Sequence, residues 1–478
     1  MSDARDFERD IRASLDEHAP FAAPNHLLQS FEYNARRTRR YPRWLALIKE
    51  PTMRTDSRLT VGSPTARVAA IAIAMLLLAT AVIGASFAGA QLLAADQTIV
   101  VDQNGDGDYT TIVDAVEAAT DGDEILLKPG TYAESVTISA DITLRGEDRD
   151  TVILQAGIGC TGDGDLTCPD GTPLYPDHWF GEHPYALLLD DTTAEISDVT
   201  FELGAASGII ARAGAPAIHD ISYAPGADWA VLYVHDGSEA KISDADLADA
   251  WVFFEQQSPA TIERSSFWAV VANTNNTLLV GGPAYVRDNV AVGIAFNGEA
   301  VVEGNQVIAQ ESEGDENDFY GQGIDVQAGD GFVIRDNVVS GFAEGAGIAL
   351  ARGGNGDIVD NTLTGNRVGI GLGNLGGKRV VSGNRLTDNE TGVMLGTGAH
   401  VVTGNTVRGG STGISVHGAS TLEGNDVEGA TERGIEIGGS SEAVLRDNRS
   451  CENGEDLWVA DGAAPDIDAS NEICVAGT

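Results

Sequence analysis

Three periodic features predict an all-β chain folded as a right-handed parallel β-helix. The first is an apolar-x-(Asp or Gly)-Asn phrase, seen as VRDN at 286–289, VEGN at 302–305, IRDN at 334–337 and IVDN at 358–361. It continues as VSGN at 381–384, VTGN at 402–405, LEGN at 422–425 and LRDN at 445–448. The second is a strand phrase between successive corners: GIAF, GIDV, GIAL, GIGL, GVML, GISV and GIEI. Each alternates inward and outward residues, as a strand requires. The third is the spacing. The asparagines are Asn289, Asn305, Asn337, Asn361, Asn384, Asn405, Asn425 and Asn448, with Asn471 one step on, and the last six intervals run from 20 to 24 residues.

Two or three short strands per period, with Gly and Asn at the corners, make one solenoid coil. A single coil cannot bury its apolar face, so coils must stack. Weaker phrases extend the period upstream: ISD at 196–198, IHD at 218–220, ISD at 242–244 and IER at 262–264. About 13 coils fit between Ile196 and Ile473. At roughly 4.8 Å per step the rod is on the order of 60 Å long. The asparagines are expected to take left-handed backbone at the corners and to bond to their counterparts one coil away. They are fold residues rather than a site. The leucine-dense consensus of leucine-rich repeats is absent, and a propeller blade needs roughly 40 residues.

Charge divides the chain. Up to Arg67 there are 12 basic and 9 acidic residues, and beyond it 17 basic and 63 acidic, for net charges of +3 and −46. So acidic an outer region repels nucleic acid and anionic lipid, which excludes nucleic-acid binding. No charged residue occurs between Arg67 and Asp96, and the run includes IAIAMLLLATAVI, enough for a transmembrane helix over 68–95. Nine basic residues from Arg36 to Arg67 flank it, and the positive-inside rule places them in the cytoplasm. The expected organisation is a cytoplasmic stub over 1–67, partly helical or disordered, one span over 68–95, and an extracellular β-helix over 96–478. The location is a bacterial-type cell membrane. Cleavage after Ala88-Gly89-Ala90 is the alternative, but 67 residues far exceed a normal signal-peptide leader.

The four cysteines lie on the outer side, which suits an oxidising compartment. Cys160 and Cys168 bracket a short loop and form one expected disulfide. Cys451 follows Asn448 by three residues and Cys474 follows Asn471 by three, so they hold equivalent positions in adjacent coils. That separation suits a disulfide, predicting a Cys451–Cys474 bond at the end of the stack.

The segment TIVVDQNGDGDYTTIVDAVEAATDGDEILLKPGTYAESVTISADITLRGEDRDTVIL, Thr98 to Leu154, resembles the entry of the pectin-lyase-like superfamily. That group includes pectinesterases, pectate lyases and NosD-type periplasmic proteins. The resemblance implies a first strand at Val100–Val101, a turn from Gly107 to Ile112, a short capping helix from Val113 to Ala119 and a turn from Pro129 to Tyr132. With the repeats it covers about 380 residues. It is specific for fold and not for activity, since the fold hosts unrelated functions. The Gln-Asp-Thr and Gly-Arg-Pro-Trp phrases of pectinesterases are missing, as is the Asn-Thr-Asp, Asp-Asp and Gly-His-Gly series of polygalacturonases. Besides its arginines the outer region has only Lys128, Lys241 and Lys378 as candidate proton abstractors of the pectate-lyase kind.

Four places remain for chemistry. The insertion at 157–185 gathers Asp177, His178, Trp179, Glu182 and His183, as catalytic candidates with Trp179 as a ligand contact. Its Asp-His pair resembles the Asp-Pro-His-Glu motif of alginate epimerases only in part, since order and context differ. The competing reading is a disulfide-tied loop that covers the coil edge. The second place is an aromatic run: period-2 counting turns Trp229, Tyr233 and His235 outward in one coil and Trp251, Phe253 and Glu255 outward in the next, with Trp268 following. Aromatic platforms stack on sugar faces, and a carboxylate such as Glu255 can serve as acid or base. The competing reading is a satellite core beneath the insertion. Third, Asp102, Asn104, Asp106 and Asp108 match the first half of a calcium loop, but Val113 stands where its bidentate acid belongs. Calcium is the one cofactor the chain suggests. Fourth, the acidic run Glu311 to Asp318 lengthens one coil.

The sequence therefore predicts a membrane-anchored surface β-helix that binds, and in a further step processes, extracellular polysaccharide. A non-catalytic structural or adhesive rod is the alternative, and a polysaccharide lyase, hydrolase or epimerase the second alternative.

Overall fold

Each corner phrase ends one short strand, and strands from successive corners lie side by side. The computed structural model describes residues 96–156, 185–202, 207–224, 231–235, 237–255, 258–272, 284–309, 321–350, 354–373 and 377–474. The stub and span, residues 157–184 of the insertion with Cys160 and Cys168, Trp229, and the acidic run Glu311 to Asp318 lie outside the described residues. Among the described residues no helix is long and apolar enough to cross a membrane.

All strand pairing is parallel. One sheet holds 16 strands, from Thr98–Val101 to Asp466–Ile467, and a second holds 26. From Glu195–Ser197 onward the first sheet has 13 strands, matching the coil count read from the repeat. The larger sheet bends into two ladders, giving the solenoid three faces. The long strands Asp246–Phe254, Ser266–Ala272 and Val290–Asn297 run through the bend and take part in both ladders. The fold is a right-handed parallel β-solenoid, the hand that parallel strand crossovers strongly favour.

The interior is one continuous apolar core, from Val101 and Ile112 to Leu445. It is built from the middle residues of the short strands, such as Ile196, Ile218, Ile242, Ile262, Val286 and Val302, all essentially without exposure. The helix α1 (Ile112–Ala118) forms within one residue of its expected position. Thr111 caps it by accepting from the Asp114 amide, and the Glu134 carboxylate accepts from the Ile112 and Val113 amides. Ile112 and Ala115 thereby enter the core.

The corner corrects one expectation. The left-handed residue is not the asparagine but the residue before it: Asp288, Gly304, Asp336, Asp360, Gly383, Gly404, Gly424 and Asp447 all have φ between 52° and 70°. A short Asp, or Gly without a Cβ, tolerates this region. The asparagine that follows turns inward and is almost wholly buried. Its carboxamide oxygen accepts from the backbone and side-chain amides of the asparagine one coil earlier, repeating from Asn289 through Asn305, Asn337, Asn361, Asn384, Asn405, Asn425 and Asn448 to Asn471. Upstream the same corner persists with Asp198, Asp220, Asp244 and Arg264 left-handed. There Val199, Ile221 and Ala245 fill the inward place with apolar side chains, and Ser265 is the junction, its amide donating to Asn289 Oδ1 and its hydroxyl oxygen accepting from the Ala245 amide.

Cys451 and Cys474 form the predicted disulfide, with Cα atoms 4.8 Å apart. In a coil stack each coil touches only its neighbours. Replacing both cysteines with serine is therefore expected to speed amide exchange at Asp466–Ile473 and leave Val401–Glu428 unchanged. Exchange that accelerates through the whole stack would contradict a local clasp.

Candidate functional site

The described members of the aromatic run, Tyr233, Trp251, Phe253 and Trp268, stand outside the solenoid core. Register places Leu188, Ile210, Tyr233 and Phe253 in one row across four coils. Beside them Asp190 pairs with Arg212, and His235 and Glu255 continue that row one residue beyond the paired Val234 and Phe254. Tyr185, Leu188, Ile210, Tyr233 and Phe253 form an apolar cluster separate from the solenoid core, with Trp251 packed against it.

The polar row is internally bonded. The Arg212 guanidinium grips Asp190 with two nitrogens, one contact being 2.8 Å from Nε to Oδ1. The Tyr233 hydroxyl donates to one Glu255 oxygen, and His235 Nδ1 lies 3.0 Å from the other. Since an ionised carboxylate only accepts, this fixes the proton of a neutral His235 on Nδ1. The rings layer above: Tyr233 and His235 centroids are 4.5 Å apart, Tyr233 and Phe253 6.1 Å, and Trp251 and Phe253 5.7 Å with parallel planes.

Burial changes what these residues can do. Tyr233, His235 and Phe253 are 8%, 8% and 3% exposed, so they form a satellite core rather than an open sugar platform. Trp251 is half-buried and Trp268 is 39% exposed, leaving these two rings accessible. Glu255 has both oxygens engaged. The nearest carboxylate in its row, Asp190, lies three coils away, about 14 Å at ~4.8 Å per step. Glycosidase carboxylates stand roughly 5 to 9.5 Å apart. That pair is not a hydrolase dyad. Asp177, His178, Trp179, Glu182, His183 and Trp229 lie outside the described residues.

Two of the four calcium candidates also hold the turn together. Asp102 accepts from the backbone and side-chain amides of Asn104, and Asp108 accepts from the Val100 amide. Among the described residues the one grouping of three His, Cys, Asp or Glu side chains is Cys451, Glu472 and Cys474.

Three polar groupings escaped the sequence reading. On the first face His219 bridges Asp220 at 2.8 Å and Glu195 at 3.0 Å. Burial pulls its imidazole down, but the bonds and charges of Asp220 and Glu195 outweigh this and raise its pKa above the ordinary value. Inside the stack, Arg379 is fully buried and His400 is 1% exposed. A second asparagine corner holds Asn366, Asn389 and Asn453, each after a left-handed Gly365, Asp388 or Glu452. That last signal was legible, because the corner phrase recurs five residues after the first at Asn361, Asn384 and Asn448.

Residues 288–471 match the family model described as periplasmic copper-binding protein (NosD). No curated protein matches the chain. Among solved structures, the periplasmic alginate epimerase AlgG is 17% identical, covers 60% of this chain and 77% of its own, and has a TM-score of 0.41. A mannuronic acid-specific polysaccharide family 6 lyase from human gut microbiota is 13% identical, covers 78% and 91%, and scores 0.45. Pectin methylesterase PemA from Erwinia chrysanthemi is 16% identical, covers 52% and 80%, and scores 0.32. At these scores none transfers an activity. The coil architecture and the match over 288–471 together make this chain a right-handed parallel β-helix protein of the pectin-lyase-like kind.

Proposed function

We propose that this protein is a membrane-anchored surface β-helix that binds extracellular polysaccharide. The observation that carries the reading is the concentration of outward aromatic side chains on consecutive coils, with the Trp251 and Trp268 rings accessible. Aromatic faces stack on the apolar faces of sugars, and the buried Tyr233, Phe253 and His235–Glu255 cluster holds the Trp251 ring in place. Trp229→Ala combined with Trp251→Ala is expected to weaken retention of the full chain on insoluble glycans at least about tenfold. Unchanged retention would sink the reading.

Binding is favoured over hydrolysis because Glu255 is saturated by Tyr233 and His235. The full chain should release neither reducing ends nor unsaturated uronates from the glycan that retains it, and either product would overturn this preference. Copper, named for the NosD family, is not proposed. Soft copper sites need thiolate, thioether or imidazole ligands, and the sulfurs of the Cys451–Glu472–Cys474 grouping are joined in the disulfide. The uncharged run over 68–95 and its basic flank support the anchor, with the N-terminus cytoplasmic.

A further inference from the structure

Half of the large hydrophobic side chains exposed among the described residues stand on one lateral face. Of eight, Trp268, Val290, Ile308 and Val338 are 39%, 49%, 46% and 46% exposed, and they belong to four neighbouring strands. Those strands are Ser266–Ala272, Val290–Asn297, Gln306–Ile308 and Val338–Ser340, paired in that order. Register sets Ser266, Val290, Gln306 and Val338 in one row, and Trp268, Val292, Ile308 and Ser340 in the row beside it. None of these eight positions is charged, although the first row meets Asp246 one coil before Ser266, where the Ser266 hydroxyl donates to its carboxylate, and reaches Arg385 two coils beyond Val338. On an outer region of net charge −46 such a patch is not a chance sample of the surface. Contiguous exposed apolar patches mark interaction sites.

The occupant follows from charge and shape. A polyanion approaching this face meets the repulsion of the whole acidic domain, whereas a neutral chain does not. The rows run along the solenoid axis and span about 14 Å at ~4.8 Å per strand. Beyond the apolar strip the first row continues into Thr362 and then Arg385, and the second into Thr364 and Thr387, whose hydroxyls suit a hydroxylated ligand. The strip also joins the aromatic corner: the strand partner of Trp251 is Ala269, the residue after Trp268.

We propose that this lateral face, centred on Trp268, Val292 and Ile308, is the contact surface for a neutral polysaccharide lying along the solenoid axis. The inference rests on the polysaccharide-binding reading above and names its substrate class and place.

The test measures retention of the full chain on insoluble neutral β-glucan and mannan, and on immobilised polyuronate, at low and high salt. Wild type should be retained on a neutral glycan with little salt dependence, and Ile308→Asp should reduce retention at least about tenfold. Trp268→Ala should weaken it without adding charge, which separates stacking from repulsion. Unchanged circular dichroism shows that the exposed positions were altered without loss of fold. If Ile308→Asp and Trp268→Ala bind normally while Trp229→Ala with Trp251→Ala does not, the lateral face is wrong and the general reading stands. Preference for polyuronate overturns the neutral class. If wild type is retained on no glycan, both fail. If Ile308→Asp instead turns a dimer into a monomer, the face belongs to a second copy and the inference is overturned.

Discussion

Asn361→Ala is expected to destabilise the centre of the stack by about 3–5 kcal/mol. The Asn361 oxygen accepts from the Asn337 amide at 3.0 Å and the Asn337 side chain at 2.9 Å. Its nitrogen donates to Asn384 at 3.0 Å and to the Ile334 carbonyl at 2.9 Å. Truncation strands several of these buried groups at once, each costing about 1–3 kcal/mol, and water cannot replace the lost partners. Asn361→Leu should not rescue stability, since the lost quantity is hydrogen bonding rather than volume. As a control, Arg335→Ala, which breaks an exposed pair with Glu303, should cost no more than about 1 kcal/mol. Urea unfolding of the three variants checks this. A loss at Asn361 as small as that at Arg335 would mean the ladder is ornamental.

The second large effect is acid sensitivity at His400. Register sets His400 beside Arg379 of the preceding coil, and both lie in the interior with Ser420 on the following coil. Neither His400 ring nitrogen has a hydrogen-bond partner. Burial, reinforced by the Arg379 charge, pushes its pKa down to about 4 from an ordinary 6.5. Between these values the unfolded chain binds a proton that the folded chain refuses. The His400 contribution is therefore complete above about pH 6.5 and is lost as pH falls toward 4. The shift corresponds to about 3 kcal/mol, at 1.36 kcal/mol per unit. Asp325, raised by burial, works in the opposite sense, because it gains from protonation as pH falls. Asp244 and Asp426, held low by their arginine partners against the opposing effect of burial, lose their contribution below this window. Comparing wild type with His400→Leu at pH 7.5 and 4.5 isolates the histidine. The variant should lose about 2–3 kcal/mol less between the two conditions, and equal losses would contradict the assignment.

The fold was legible because it is periodic. A coil that needs a left-handed corner and an inward amide must spell Asp-Asn or Gly-Asn every turn, and the phrase VRDN and its repeats do so. The Cys451–Cys474 bond followed from that register alone. Which residue of the phrase takes the left-handed turn did not, since both Asp and Asn tolerate it, and only the inward bonding of Asn361 and its neighbours decides. The aromatic positions were also legible as outward. Their burial was not, because period-2 counting separates inside from outside but is blind to what packs on the outer surface. That is why Tyr233 and Phe253 pointed to an open platform, while the exposed Val290, Ile308 and Val338 looked like ordinary strand residues. His235 and Glu255 could be placed on one face, but only register made them partners in adjacent coils.

The central claim, that polysaccharide binds the outer surface of a particular set of coils, is tested most directly by amide exchange of the full chain with and without the glycan that retains it. Binding should slow exchange in Asp246–Phe254, Ser266–Ala272, Val290–Asn297 and Gln306–Ile308, while Thr406–Cys451 is left as it was. Slowed exchange confined to the C-terminal coils, or no change anywhere at saturating glycan, would contradict it.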